Sequence, residues 1–231
     1  MTLDIEHFAK IELLKKLEND GCDGYQIIQE FLLATGGINE DNWVIKEINR
    51  CRDSAYTGDL TLRYPDYDFP VWVFLELINF GTFITFYEYY KTGSLSGPHS
   101  REFYLLKSVK SIRNACAHNR CIINNLTKGT SPYKPPYDVV RAIRKLPGVT
   151  FSMNQSRMSN VVLQHIVTTL YLYNKIASDG VKKHRAQSLN SLVDRMFKHP
   201  EFYVNSQQIS SSFTFLKLVI EGWFPMDNRN I

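Results

Sequence analysis

The segment from Ile112 to Asn124 concentrates the residue types that acid–base and phosphate chemistry require. Arg113, Asn114, His118, Asn119 and Arg120 fall together at the end of a stretch that is apolar upstream. An imidazole titrates near neutral pH and serves as general acid or base. A guanidinium offers a planar, permanently charged fork to phosphate oxygens as charge builds on them. On a helix, Asn114 and His118 share a face, and Arg113, Ala117 and Arg120 follow the neighbouring stripe. This set suits metal-independent cleavage of RNA, in which the 2′-hydroxyl loses a proton and the leaving 5′-oxygen gains one. His118 would move protons, Arg113 would stabilise the phosphorane-like transition state, and Asn114 would orient them. One such histidine is short of an acid and a base, which points to two chains sharing one site. The competing structural reading has His118 packing near a helix end and Arg113 paired with an acid such as Glu76.

The elements that must position these groups read as helices. Ile5, Phe8, Ile11, Leu13, Leu14 and Leu17 recur at three- and four-residue spacing, and Gly21 stops that run. Apolar runs follow from Tyr25 to Leu33 and from Asp41 to Ala55. The stretch from Thr57 to Pro70 breaks the pattern and reads as an ordered loop. One helix is expected from Pro70 to about Lys91, a turn over Gly93–Pro98, and a second long helix from Arg101 to about Ile123. Beyond a proline-rich loop (Pro132, Pro135, Pro136), helices are expected over Tyr137–Leu146, Ser156–Ser178, Gln187–Lys198 and Ser206–Gly222. Lys182–Arg185 reads as an exposed turn. The expectation is an all-α bundle in a single domain over 1–231, with a motif-bearing core of about 70–125 and an accessory helical part of about 137–231.

Other groups are weaker. Glu76 sits in an apolar pattern (Trp72, Phe74, Leu75, Ile78), where a carboxylate needs a partner, and suits a supporting role beside the motif, as does Asn119. Thr82 is expected to bond back to its own helix. Cys116, His118 and Cys121 point in different directions on one helix, so no metal site is expected, and Cys116 reads as a small buried hydrophobe. Arg120, Lys128 and Lys134, with Arg141, Arg144 and Lys145, would line an RNA path, with Tyr133 and Tyr137 as stacking surfaces. No phosphate-binding glycine loop or Gly-x-Ser-x-Gly elbow is present, and no cofactor is expected.

The 231 residues are 44% hydrophobic and 22% charged, with a formal net charge of +4, which allows a sizeable core and an anionic partner. The most apolar run, Val71 to Tyr90, contains Glu76, Asn79 and Glu88 and so reads as a buried helix rather than a bilayer span. Met1–Lys10 has no apolar signal core. Four cysteines without a C-x-x-C pair are expected as reduced thiols in a cytoplasmic protein.

Two blocks carry a family resemblance. Arg113-Asn114-Ala115-Cys116-Ala117-His118-Asn119 is similar to the R-N-x-x-A-H signature of the HEPN superfamily, especially the Abi-like abortive-infection proteins of the AbiD/AbiF group. Pro70-Val71-Trp72, Glu76, Phe80-Gly81-Thr82 and Tyr87 resemble the P-x-W-x3-E-x3-F-G-T segment of that family. The close match spans Pro70 to Asn124. Cys121 stands where many relatives carry an arginine, and Arg120 comes one residue earlier. The resemblance implies an up-and-down HEPN bundle with extra N- and C-terminal helices. It further implies a homodimer that joins two R-x4-H helices around one RNA-cleaving centre, and a toxin in phage defence restrained by an RNA or protein antitoxin. The alternative on the same fold is a non-catalytic RNA- or protein-binding module.

Overall fold

A computed structural model describes residues 1–226, and among these the regular structure is entirely helical. The chain falls into two compact units, one of residues Glu6–Lys107 and one of Met1–Ile5 with the chain from Ser108 onward.

The first unit holds most of α1 (Thr2–Asn19), then α2 (Gln26–Ala34), α3 (Trp43–Asn49), α4 (Gly58–Arg63), α5 (Val71–Leu77), α6 (Phe80–Thr92) and the start of α7 (Arg101–Ala117). Its centre is a triad of fully buried rings, Phe31, Phe74 and Phe86, meeting edge to face with centroids 5.1–6.0 Å apart. Each such side chain contributes roughly 1.5–3 kcal/mol through burial. The helices that supply them are therefore held by apolar area.

Two boundaries of this unit differ from the expectation, each for a local reason. The helix expected from Pro70 to Lys91 is two helices. Ile78 leaves the helical region, and Asn79 caps α6 by accepting from Gly81 N at 2.7 Å and Thr82 N at 3.2 Å. The Glu47 carboxylate holds that break, accepting from the Asn79 backbone amide, from Asn79 Nδ2 at 2.6 Å and from Thr82 Oγ1 at 2.7 Å. Thr82 thus bonds to α3 rather than back to its own helix. The stretch expected as a loop after Thr57 contains α4, which starts where only glycine fits. A Cβ on Gly58 would lie 2.6 Å from the Arg52 carbonyl oxygen.

The second unit carries the end of α7, then α8 (Tyr137–Ile143), α9 (Phe151–Met158), α10 (Val161–Ile176), α11 (Asp179–Phe197), a 3-10 turn (Pro200–Phe202) and α12 (Gln207–Trp223). Val139, Ile143, Leu163, Val167, Tyr173, Phe215 and Val219 are fully buried at its centre. The segment expected as one helix from Ser156 to Ser178 is broken at Ser159–Asn160, and Asn160 caps α10 on Leu163 N at 2.9 Å. Lys182–Arg185 lies inside α11 and not in a turn. Arg185 lies over the Tyr173 ring at 5.8 Å and reaches Asp4 at 3.4 Å, contacts that fix the first turns of α11. No described helix is long and apolar enough to cross a membrane.

Candidate active site at the end of the motif helix

The start of α7 is set by a buried acid. Glu88 accepts from the backbone amide and hydroxyl of Ser100, whose Oγ in turn accepts from Phe103 N at 3.3 Å. From there the apolar stripe runs through Phe103, Leu105, Leu106 and Val109, all buried. Burial then fades: Ile112 is half-buried and Cys116 is exposed, against the expectation for that thiol.

The helix stops at Ala117, inside the motif and six residues before the expected end. Asn119 adopts φ +50°, the left-handed conformation that ends many helices. Its amide donates to the Cys116 carbonyl at 3.1 Å, and the Arg120 amide donates to the Ala115 carbonyl at 2.9 Å. These two bonds make a Schellman cap, which satisfies the last carbonyls and turns the chain. Asparagine tolerates this conformation better than most side chains, so Asn119 gives the motif its shape through the backbone.

Within the motif, Arg113 Nη1 donates to Asn114 Oδ1 at 3.3 Å, so the amide and the guanidinium are oriented together. His118 stands at the helix end with its amide on the Asn114 carbonyl at 3.1 Å. Its imidazole is exposed and makes no hydrogen bond or ion pair among the described residues. An accessible imidazole with unoccupied nitrogens, one turn from a guanidinium and an amide, is a constellation able to move protons beside an anion.

Two cavities flank this helix end, both within the second unit. An apolar groove of about 500 Å³ is lined by Ile112, Cys116, Leu192, Met196, Phe213 and Ile220 among others. A more polar cavity of about 490 Å³ is lined by Ser111, Ala115, Arg120, Cys121, Asn124 and His165. The two cysteines of the motif therefore face different spaces. Among the described residues no group of three His, Cys, Asp or Glu side chains is placed to hold a metal ion.

His165 was not singled out from the sequence. It lies on α10 in a long apolar run, and only packing shows that its ring borders the cavity holding Arg120. Burial pushes its pKa below the usual imidazole value, which keeps the ring neutral at neutral pH.

Glu76 is exposed on α5 and makes no hydrogen bond or ion pair among the described residues, in place of the expected partnered, buried carboxylate. The reason is rotational: Val73, Phe74, Leu75 and Leu77 take the buried positions of that short helix, which turns Glu76 and Trp72 outward. Lys134 is exposed in the proline-rich loop, near the exposed rings of Tyr133 and Tyr137. Lys128 borders a separate cavity beside Arg157. Arg144 packs its guanidinium over the Phe151 ring at 4.9 Å, a structural use of one expected RNA contact.

Fold and site together define an all-helical protein whose Arg–Asn–His motif occupies a capped helix end. The Abi-like protein family model matches residues 1–124, which include both sequence blocks and the whole motif, and the chain belongs to that family. No curated protein and no solved structure matches it.

Proposed function

We propose that this protein is a metal-independent endoribonuclease of HEPN type that acts in bacterial abortive infection against phage. Membership of the Abi-like family supports the defence role. The observation that carries the chemistry is the exposed His118 imidazole at a Schellman-capped helix end, with Arg113 and Asn114 bonded to each other one turn before it. In this reading His118 takes the proton from the attacking 2′-hydroxyl or supplies one to the leaving 5′-oxygen. Arg113 stabilises the phosphate as charge accumulates, and Asn114 holds the guanidinium toward it. Arg120, Lys128 and Lys134 contact the strand.

A single accessible imidazole serves one of the two proton transfers. A second copy of the chain supplies the other, seated on the apolar groove that begins at Ile112 and Cys116 on the same helix. That groove is where the α7 stripe continues its period without cover, and Leu192 and Ile123 are exposed along it. An RNA or protein antitoxin would act by blocking this assembly or the strand path.

The test is cleavage of total bacterial RNA and tRNA in EDTA. Wild type is expected to leave fragments ending in 2′,3′-cyclic phosphate, and folded, dimeric Arg113→Ala and His118→Ala to leave RNA intact. Cleavage at the wild-type rate by either variant overturns that residue's role. Intact RNA with a folded wild-type dimer supports the binding-module alternative, which predicts steeply salt-dependent RNA binding without cutting. Leu192→Glu is expected to yield monomers without activity.

A further inference from the structure

Arg157 is a charge buried without a countercharge. It lies on α9, is 9% exposed, and its Nη1 donates to Ser212 Oγ at 3.3 Å. No carboxylate pairs with it among the described residues. Burial of an ionised group is costly unless an opposite charge and hydrogen bonds compensate it, and one neutral hydroxyl does not. Desolvation lowers its pKa, in keeping with that imbalance.

The guanidinium borders an open cavity of about 390 Å³ whose other walls include Lys128, Ser152, Ser156, Ser211 and Thr214. No acidic side chain lines it. Ser156 Oγ is buried with no hydrogen-bond partner, so a second polar group is unsatisfied at the same place. The hydroxyls of Ser211 and Thr214 bond back to the Gln207 and Ser210 carbonyls of α12, which leaves their oxygens able to accept but not to donate. The donors available to a ligand are therefore Arg157 and Lys128 at the cavity surface, Ser156 just behind it, and whichever of the bonded Thr150 and Ser152 hydroxyls does not donate to the other. Lys128 is held at the rim because its loop is pinned: Asn160 Nδ2 donates to the Asn125 and Thr127 carbonyls at 3.0 and 2.9 Å, and Gly129 N donates to Ser159 Oγ at 3.1 Å.

We infer that this cavity, separate from the motif helix, is a binding site for the phosphate group of a nucleotide. Two cations and a free hydroxyl donor match a phosphate carrying up to two charges and several acceptor oxygens, better than a singly charged carboxylate. The volume exceeds that of a phosphate ion alone and lies in the range of small-molecule sites, with Met153 offering an apolar wall to the organic part. The inference does not depend on the chain cutting RNA. The phosphate has two sources, a free mononucleotide or an RNA strand, which share this chemistry.

The experiment is calorimetric titration with inorganic phosphate, with adenosine 5′-monophosphate and with a short single-stranded RNA bearing a 5′-phosphate, each against its thermal-shift response in phosphate-free buffer. Wild type is expected to bind saturably and to melt higher with the ligand present. Arg157→Met is expected to melt at or above wild type without ligand, because an uncompensated buried charge is gone, and to lose the ligand response. Lys128→Ala, at an exposed position, is expected to fold normally and bind roughly tenfold more weakly. Mononucleotide binding that the RNA does not displace assigns the free nucleotide; displacement by RNA assigns the strand, and both uphold the site. No saturable binding of any probe by wild type overturns the inference. So does wild-type affinity in Lys128→Ala together with Ser156→Ala, or an Arg157→Met protein that is destabilised yet still binds, which would make Arg157 a packing residue.

Discussion

Asn160 joins two structures through the two ends of one amide, so its replacement separates capping from loop anchoring. The side chain is 1% exposed. Oδ1 accepts from Leu163 N at 2.9 Å, and Nδ2 reaches the Asn125 and Thr127 carbonyls and Thr130 Oγ1 at 2.9–3.2 Å. Losing the cap costs about 1 kcal/mol. Losing two partly buried carbonyl bonds costs about 0.5–1.5 kcal/mol each, because water recovers part of the satisfaction. Asn160→Ala is therefore expected to destabilise the second unit by about 2–4 kcal/mol. Asn160→Asp keeps an equally good cap but turns a carboxylate oxygen onto two carbonyls, so it is expected to be no more stable than the alanine variant. Urea denaturation gives the energies. Hydrogen exchange locates them, with Gly129, Ser131 and Val161 amides losing protection first, since each is bonded across this junction. A loss below about 1 kcal/mol in Asn160→Ala, or recovery in Asn160→Asp, would refute the argument that donation to the loop carries the stability.

Three further outcomes follow from particular contacts. Asn119→Gly is expected to preserve stability and RNA cleavage, whereas Asn119→Val, forced into the left-handed region, is expected to lose about 1–2 kcal/mol and most activity; equal behaviour in melting and cleavage assays would show that the cap does not shape the motif. His165 has a depressed pKa in the folded chain, so the unfolded chain binds its proton first on acidification. Stability is accordingly level above the ordinary imidazole value of 6.5 and falls as pH drops from there through the folded pKa, and a denaturation series in His165→Gln should show a shallower fall. Glu47→Ala is expected to cost about 2–3 kcal/mol by freeing the Asn79 and Thr82 donors, measured by urea titration, with a change under about 0.5 kcal/mol counting against the clamp.

The all-helical class and most helix positions were legible because apolar residues repeat at the helical period whatever surrounds them. Gly21 and Gly93, at φ +62° and +67°, were readable stops because a glycine after a periodic run carries its own conformational reason. The residue types of the motif were equally plain, since Arg113, Asn114 and His118 state their chemistry by identity. The breaks at Asn79 and Asn160 were not legible, because the apolar period runs straight through both. Side-chain bonding decides them: each asparagine caps the helix that follows it while bonding to residues more than thirty positions away, the Glu47 carboxylate in one case and the Asn125 and Thr127 carbonyls in the other. The same limit hid His165 and Arg157. A charged or titratable residue acquires meaning from what fails to pair with it, and the absence of a carboxylate beside Arg157 is a property of three chain segments packed together, not of any one of them.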